Sequence, residues 1–161
     1  MASFQNHIDQ AKHNLSFLEI SNHSSDVHWD WQVTVSFYVA VHLVNAHIAK
    51  KSNLNYRSHE QVDQAINPYN QLSLTRLTES DYLAYSKLQG LARRARYLCH
   101  EERTNRTTDA QFTYDKHFSR AIKHLEIILS FVSEEYNITF PVVKLRCVEL
   151  KNKTFKHFVI E

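Results

Sequence analysis

The sequence predicts an all-α fold, and three observations carry that expectation. Only one glycine and two prolines occur in 161 residues, so the chain lacks the turn residues that sheet-rich folds and phosphate-cradling loops demand. Apolar residues recur at alternating three- and four-residue steps through most of the chain, the spacing of helices that bury one stripe. The length and the 43% apolar content suit one domain with a real core.

Phe4, Ile8, Ala11, Leu15 and Leu18 form the first stripe, and the polar run SNHSSD (residues 21–26) ends it. The next segment, DWQVTVSFYVAVHLVNAHIAKK, carries two periods at once. Val33, Val35, Phe37, Val39, Val41 and Leu43 alternate like a strand. Val33, Phe37, Ala40, Val41, Val44 and Ile48 also form a helical stripe, with Trp31, Val35, Tyr38, His42 and Ala49 as a second. The run is far too long for an ordinary strand and closes on Lys50 and Lys51, which suit a helix C-terminus. It reads as a central helix buried on most sides, its start anchored by Trp29 and Trp31.

A short helix starts near Ser58 or His59 and stops before Pro68. A third long stripe, Ala84, Leu88, Leu91, Ala95 and Leu98, predicts a helix from about Thr78 to Glu102. Thr108 or Asp109 caps a last long helix, whose stripe runs Phe118, Ala121 or Ile122, Leu125, Leu129, Val132 and Tyr136. After Asn137 the chain turns rich in β-branched residues. The expected organisation is a helical domain over residues 1–137 and an extension over 138–161, either a small β-hairpin turning at KNK or an arm on a partner.

Composition also excludes functions. With Gly90 alone there is no P-loop or dinucleotide fingerprint, and no G-x-S-x-G elbow. Eleven histidines raise the question of a metal, yet there is no HExxH and no zinc spacing with Cys99 or Cys147; no metal and no cofactor are expected. Two cysteines make no disulfide framework, the N-terminal residues have no continuous apolar run, and no segment has membrane-span length. A soluble cytoplasmic protein is expected. The net charge of +2 permits nucleic-acid binding without arguing for it, so the clustering of charge has to decide.

Charge clusters in LARRARYLCHEE, residues 91–102. At about 100° per residue, Arg93 lies about 20° from His100 on a helix and Arg94 about 120° from it. Arg93, Arg96 and His100 therefore share a face bordered by Tyr97 and pointing away from the Leu88–Ala95 stripe. Metal-free RNA cleavage needs a base for the 2′-hydroxyl, which a histidine supplies, and cations for the phosphorane, which arginine forks supply. Tyr97 or Tyr85 is placed to stack on a base. A solvated basic face, partly neutralised by Glu101 and Glu102, is the other description of the same residues. His42 reads as a half-buried histidine bonded within the helices, His59 as a residue that caps or orients the short helix, and Cys99 as a buried thiol.

FYVAVHLVNAHIAKK (37–51), RSHEQV (57–62) and the ARY that ends LARRARY (91–97) together resemble the HEPN family, from Trp31 to about Tyr136. The resemblance implies an antiparallel four-helix bundle, a homodimer, and in many members a metal-independent endoribonuclease of toxin–antitoxin or phage-defence systems. Arg93 and His100 then match the catalytic arginine and histidine, with Arg94, Arg96 and Tyr97 holding RNA or a nucleotide. The chain departs from many active members in carrying Arg94 where a polar residue such as asparagine follows the arginine. Other members are non-catalytic modules that pair with a partner such as an antitoxin or a nucleotidyltransferase.

Overall fold

The computed structural model describes residues 2–97 and 113–161. Among them are five helices, α1 (Phe4–Asn22), α2 (Trp29–Ser52), α3 (His59–Ile66), α4 (Glu79–Tyr97) and α5 (Asp115–Tyr136), followed by strands β1 (Val143–Leu145) and β2 (Phe158–Ile160). The molecule is mostly helical. His100, Cys99, Leu98 and the expected caps Thr108 and Asp109 lie outside the described residues; within them, Tyr114 is the N-cap of α5.

Local chemistry explains the helix ends. Ser3 and Asn6 close a capping box on α1, the Ser3 hydroxyl accepting the Asn6 N–H at 3.2 Å and the Asn6 carbonyl oxygen accepting the Ser3 N–H at 2.8 Å. Ser58, rather than His59, caps α3 by accepting the Gln61 N–H. Asn53 and Asn137 end α2 and α5 in the left-handed region, at φ 55° and 53°. In a chain with one glycine, asparagine does the work that glycine usually does at helix C-termini.

The strand-like alternation in the central segment is overridden, and α2 packs against α1, α3, α4 and α5. Its buried polar residues bond to the preceding turn, Thr34 to the Asp30 carbonyl, Ser36 to that of Gln32 and Asn45 to that of Val41. Val33, Phe37, Ala40, Val44 and Ile48 of the first stripe are fully buried, while its Val41 is half-buried. The second stripe is only half sunk: Trp31 and Tyr38 are exposed, so Trp29, stacked at 5.3 Å on Phe118, anchors the helix start without Trp31.

The C-terminal segment corrects the hairpin expectation. β1 and β2 are parallel, pairing Val143 with Phe158 and Leu145 with Ile160, and the chain crosses between them through a short 3-10 turn (Val148–Leu150). The residues KNK do turn, but inside this crossover. The direction follows from the anchors at each end. The Glu126 carboxylate on α5 accepts the Lys156 N–H at 2.7 Å, near the start of both strands, since the Val143 N–H donates to the His157 carbonyl. Asn22 and His23 at the end of α1 hold Arg146 and Glu161, at the finish of both. Phe140, Val143, Leu145, Leu150 and Phe158 join the same buried cluster as the helices.

Candidate functional site

Helix α4 begins where the Thr78 hydroxyl accepts the Asp81 N–H, with Glu79 and Asp81 in its first turn, a favourable charge for that end. Ala84, Tyr85, Leu88 and Ala92 bury its inner face. That orientation decides what the arginines can reach. Arg93 and Arg94 are exposed, Tyr97 is 72% exposed, and Arg96 is half-buried. Tyr85 is 0% exposed, so it cannot stack on a base.

Arg96 does not point away from the core as the helical phase suggests. Its guanidinium carbon lies 5.8 Å from the ring centres of Phe37 and Tyr38 on α2 and 5.5 Å from that of Tyr97. Such cation–π contacts stabilise by about 0.5–2 kcal/mol. Among the described residues no acceptor bonds its Nε or Nη1. The His59 ring reaches the same cluster, 5.4 Å from Phe37, and its pKa is lowered, first by burial and then by the Arg96 charge. A neutral histidine, a fixed guanidinium and an exposed tyrosine thus meet where α2, α3 and α4 converge. Those are the groups that accept a proton, hold a phosphate oxygen and stack on a base.

Arg94 leaves this cluster. Two residues before Arg96 on a helix, it lies about 160° away around the axis, and it faces α5 instead. There it lines a concave space of about 630 Å³ with Lys87, Gly90, Leu91, Arg120, Lys123 and His124. The His124 pKa is lowered by burial, then by Lys87 and Lys123, so its ring is neutral at pH 7. His117 at the same end is lowered by burial and then by Arg94, Lys116 and Arg120. The four residues Arg93, Arg94, Arg96 and Tyr97 are therefore divided between two sides of α4, with Arg93 on the outer surface between them.

Arg120, Lys123 and Lys87 were not singled out by sequence, and His124 only as one of a pair with His117 that suggests no metal; the reason is specific. The i, i+7 pair Lys87 and Arg94 on α4 and the i, i+3 pair Arg120 and Lys123 on α5 are visible as patterns. That they face one another depends on helix packing.

The remaining polar groups have structural work. His42 is half-buried, its Nδ1 sharing a hydrogen bond of 3.2 Å with Nδ1 of His7, and its pKa is lowered by burial and by the His7 charge. His47 is buried between the Tyr136 hydroxyl at 2.7 Å and the Thr75 carbonyl at 3.1 Å, and burial pushes Tyr136 up to about 12. The carbonyl needs a donor, so Nε2 carries the proton and Nδ1 accepts the tyrosine O–H. Cys147 is a buried free thiol with a raised pKa, from burial. Among the described residues no three His, Cys, Asp or Glu side chains are grouped to hold a metal ion, and no helix is long and apolar enough to cross a membrane. Comparison of the chain with protein-family models, with curated proteins and with solved structures found no match.

Proposed function

We propose that the chain is an RNA-binding protein of the HEPN type that cuts RNA without a metal ion, as a homodimer of antiparallel four-helix bundles in a toxin or phage-defence system. The observation that supports this reading is the meeting of Arg96, Tyr97 and His59 beside exposed Arg93, at the end of α4 that leads toward His100. Arg93 supplies charge to the phosphorane, His100 takes the proton of the 2′-hydroxyl, and its copy across the two-fold axis returns a proton to the leaving 5′-oxygen. Arg96, resting on Phe37 and Tyr38 beside Tyr97, holds a phosphate oxygen and sets the local charge.

The test is degradation of a broad RNA panel by purified protein in EDTA, beside His100→Ala, Arg93→Ala and His59→Ala. Cleavage that survives chelation and is lost with His100→Ala and Arg93→Ala supports the reading. Loss with His59→Ala and not with His100→Ala moves the base to α3. Intact RNA throughout rejects the nuclease and leaves the non-catalytic module that works with a partner protein.

A further inference from the structure

We propose that the groove between α4 and α5 is a phosphate-binding track that holds the backbone of a single RNA strand through Lys87, Arg94, Arg120 and Lys123. The identity of the strand rests on the RNA reading above; the preference for phosphate stands on the groove itself.

Charge is the first argument. The groove walls present four permanent cations and one histidine, and among the described residues no carboxylate lines it. Net charge does not explain this, because the whole chain carries only +2. The charge is also arranged along the α4–α5 face. The far end of that face is acidic, where Asp81, Glu126, Glu134 and Glu135 line a separate hollow. Like charges held together repel one another, and a bound anion relieves that cost.

Gly90 is the second and independent argument. It stands in the interior of α4, where glycine destabilises a helix by about 1 kcal/mol relative to alanine. Its backbone does not need the freedom, since no glycine has a positive φ. Nor does packing need it, because an added Cβ meets no atom within 4 Å. A glycine that neither conformation nor packing requires leaves exposed helix backbone bare along the groove. Close approach of a ligand to backbone is the remaining use of such a residue.

His124 is the third. Among the described residues its buried Nδ1 has no hydrogen-bond partner, and its pKa is lowered first by burial and then by the charges of Lys87 and Lys123. An entering phosphate reverses the local field and favours a proton on this ring.

Dimensions favour a strand over a single phosphate. Lys87 and Arg94 are two turns apart, about 10 Å along the axis at 1.5 Å per residue. That span exceeds one phosphate group, so the cations are strung out along more than one phosphate of a strand.

The experiment measures anisotropy of a fluorescein-labelled 2′-O-methyl RNA 12-mer in EDTA at several KCl concentrations. Lacking 2′-hydroxyls, the strand cannot be cut, so binding is read apart from catalysis. Full-length native protein is compared with Arg120→Glu, Lys123→Glu, Gly90→Glu and Arg93→Ala. Gly90→Glu sends a carboxylate into open space on a helix it favours, so it blocks the groove without loss of folding, which a thermal melt verifies. The expected result is at least a tenfold loss of affinity for each glutamate variant. The salt slope should fall by about 0.7 for each phosphate contact removed. Native binding that is unchanged in all three glutamate variants overturns the track and leaves the cleavage reading standing. If the native chain ignores the 12-mer but a labelled ADP binds and is lost with Lys123→Glu, the strand is overturned in favour of a mononucleotide. If neither binds, the groove is a solvated basic surface. If native protein self-associates at low salt and only Lys123→Glu separates the copies, the groove is filled by the acidic hollow of a second copy.

Discussion

Replacing Asn22 by alanine should cost about 3 kcal/mol of stability, and the structure gives the arithmetic. Asn22 closes α1, is 4% exposed, and makes three hydrogen bonds. Its Oδ1 accepts the Arg146 N–H at 2.6 Å, and its Nδ2 donates to the Gln32 Oε1 at 2.8 Å and to the Arg146 carbonyl at 3.2 Å. Each contributes about 1 kcal/mol net, and the truncation also leaves the Arg146 amide without its acceptor beside the core. A domain of this size loses roughly 3 °C of Tm per kcal/mol, so a thermal melt followed by circular dichroism should show a fall of about 9 °C. Because both Arg146 contacts use its backbone, Arg146→Ala is the control and should change stability by less than about 0.5 kcal/mol. A fall under 3 °C for Asn22→Ala would refute the reasoning, and so would an equal fall for Arg146→Ala. The first result would mean that the segment is held mainly by its other contacts, and the second that the Arg146 side chain contributes as much as Asn22.

Gly90→Ala should raise stability by about 0.5–1 kcal/mol in urea denaturation, since alanine suits a helix interior and its methyl meets no atom within 4 Å; a loss of stability would show that a neighbour needs that space. Stability should also fall as pH drops from 7.5 to 5.5. His42, His47, His59, His117 and His124 all have pKa values held below 6.5, by burial first in each case. Their unfolded forms therefore take up protons near 6.5 while the folded forms resist, so the loss begins at the unfolded pKa and continues down to the folded ones. His23 opposes this, raised by its bond to Glu161, but it is a single group with an exposed partner. A Tm that holds constant or rises over that interval counts against the assignment of these five as neutral.

The helices were legible in the sequence because their cause is local. The stripe through Ile8, Ala11, Leu15 and Leu18 and that through Phe118, Ile122, Leu125, Leu129 and Val132 are the buried faces of α1 and α5. The central segment was harder, since its β-branched alternation argues for a strand over any short window. Length and the closing lysines resolved it. The strands after Asn137 could be suspected from composition but not oriented. Their parallel course depends on Glu126 and Asn22, residues far away in the chain and close only after folding.

The candidate site divides along the same line. Sequence alone located the charge: three arginines and a tyrosine within five residues at the end of α4, in a chain otherwise nearly balanced. It could not say which way each one faces, because a single helix wheel ranks positions without saying what occupies the space around them. Packing against α2 and α3 drew Arg96 onto Phe37 and Tyr38 and brought His59 beside it. Packing against α5 set Arg94 opposite Arg120 and Lys123. Periodicity is a property of one segment and survives in a string of letters. The convergence of charges from two helices depends on how those helices pack, and only the folded chain decides that.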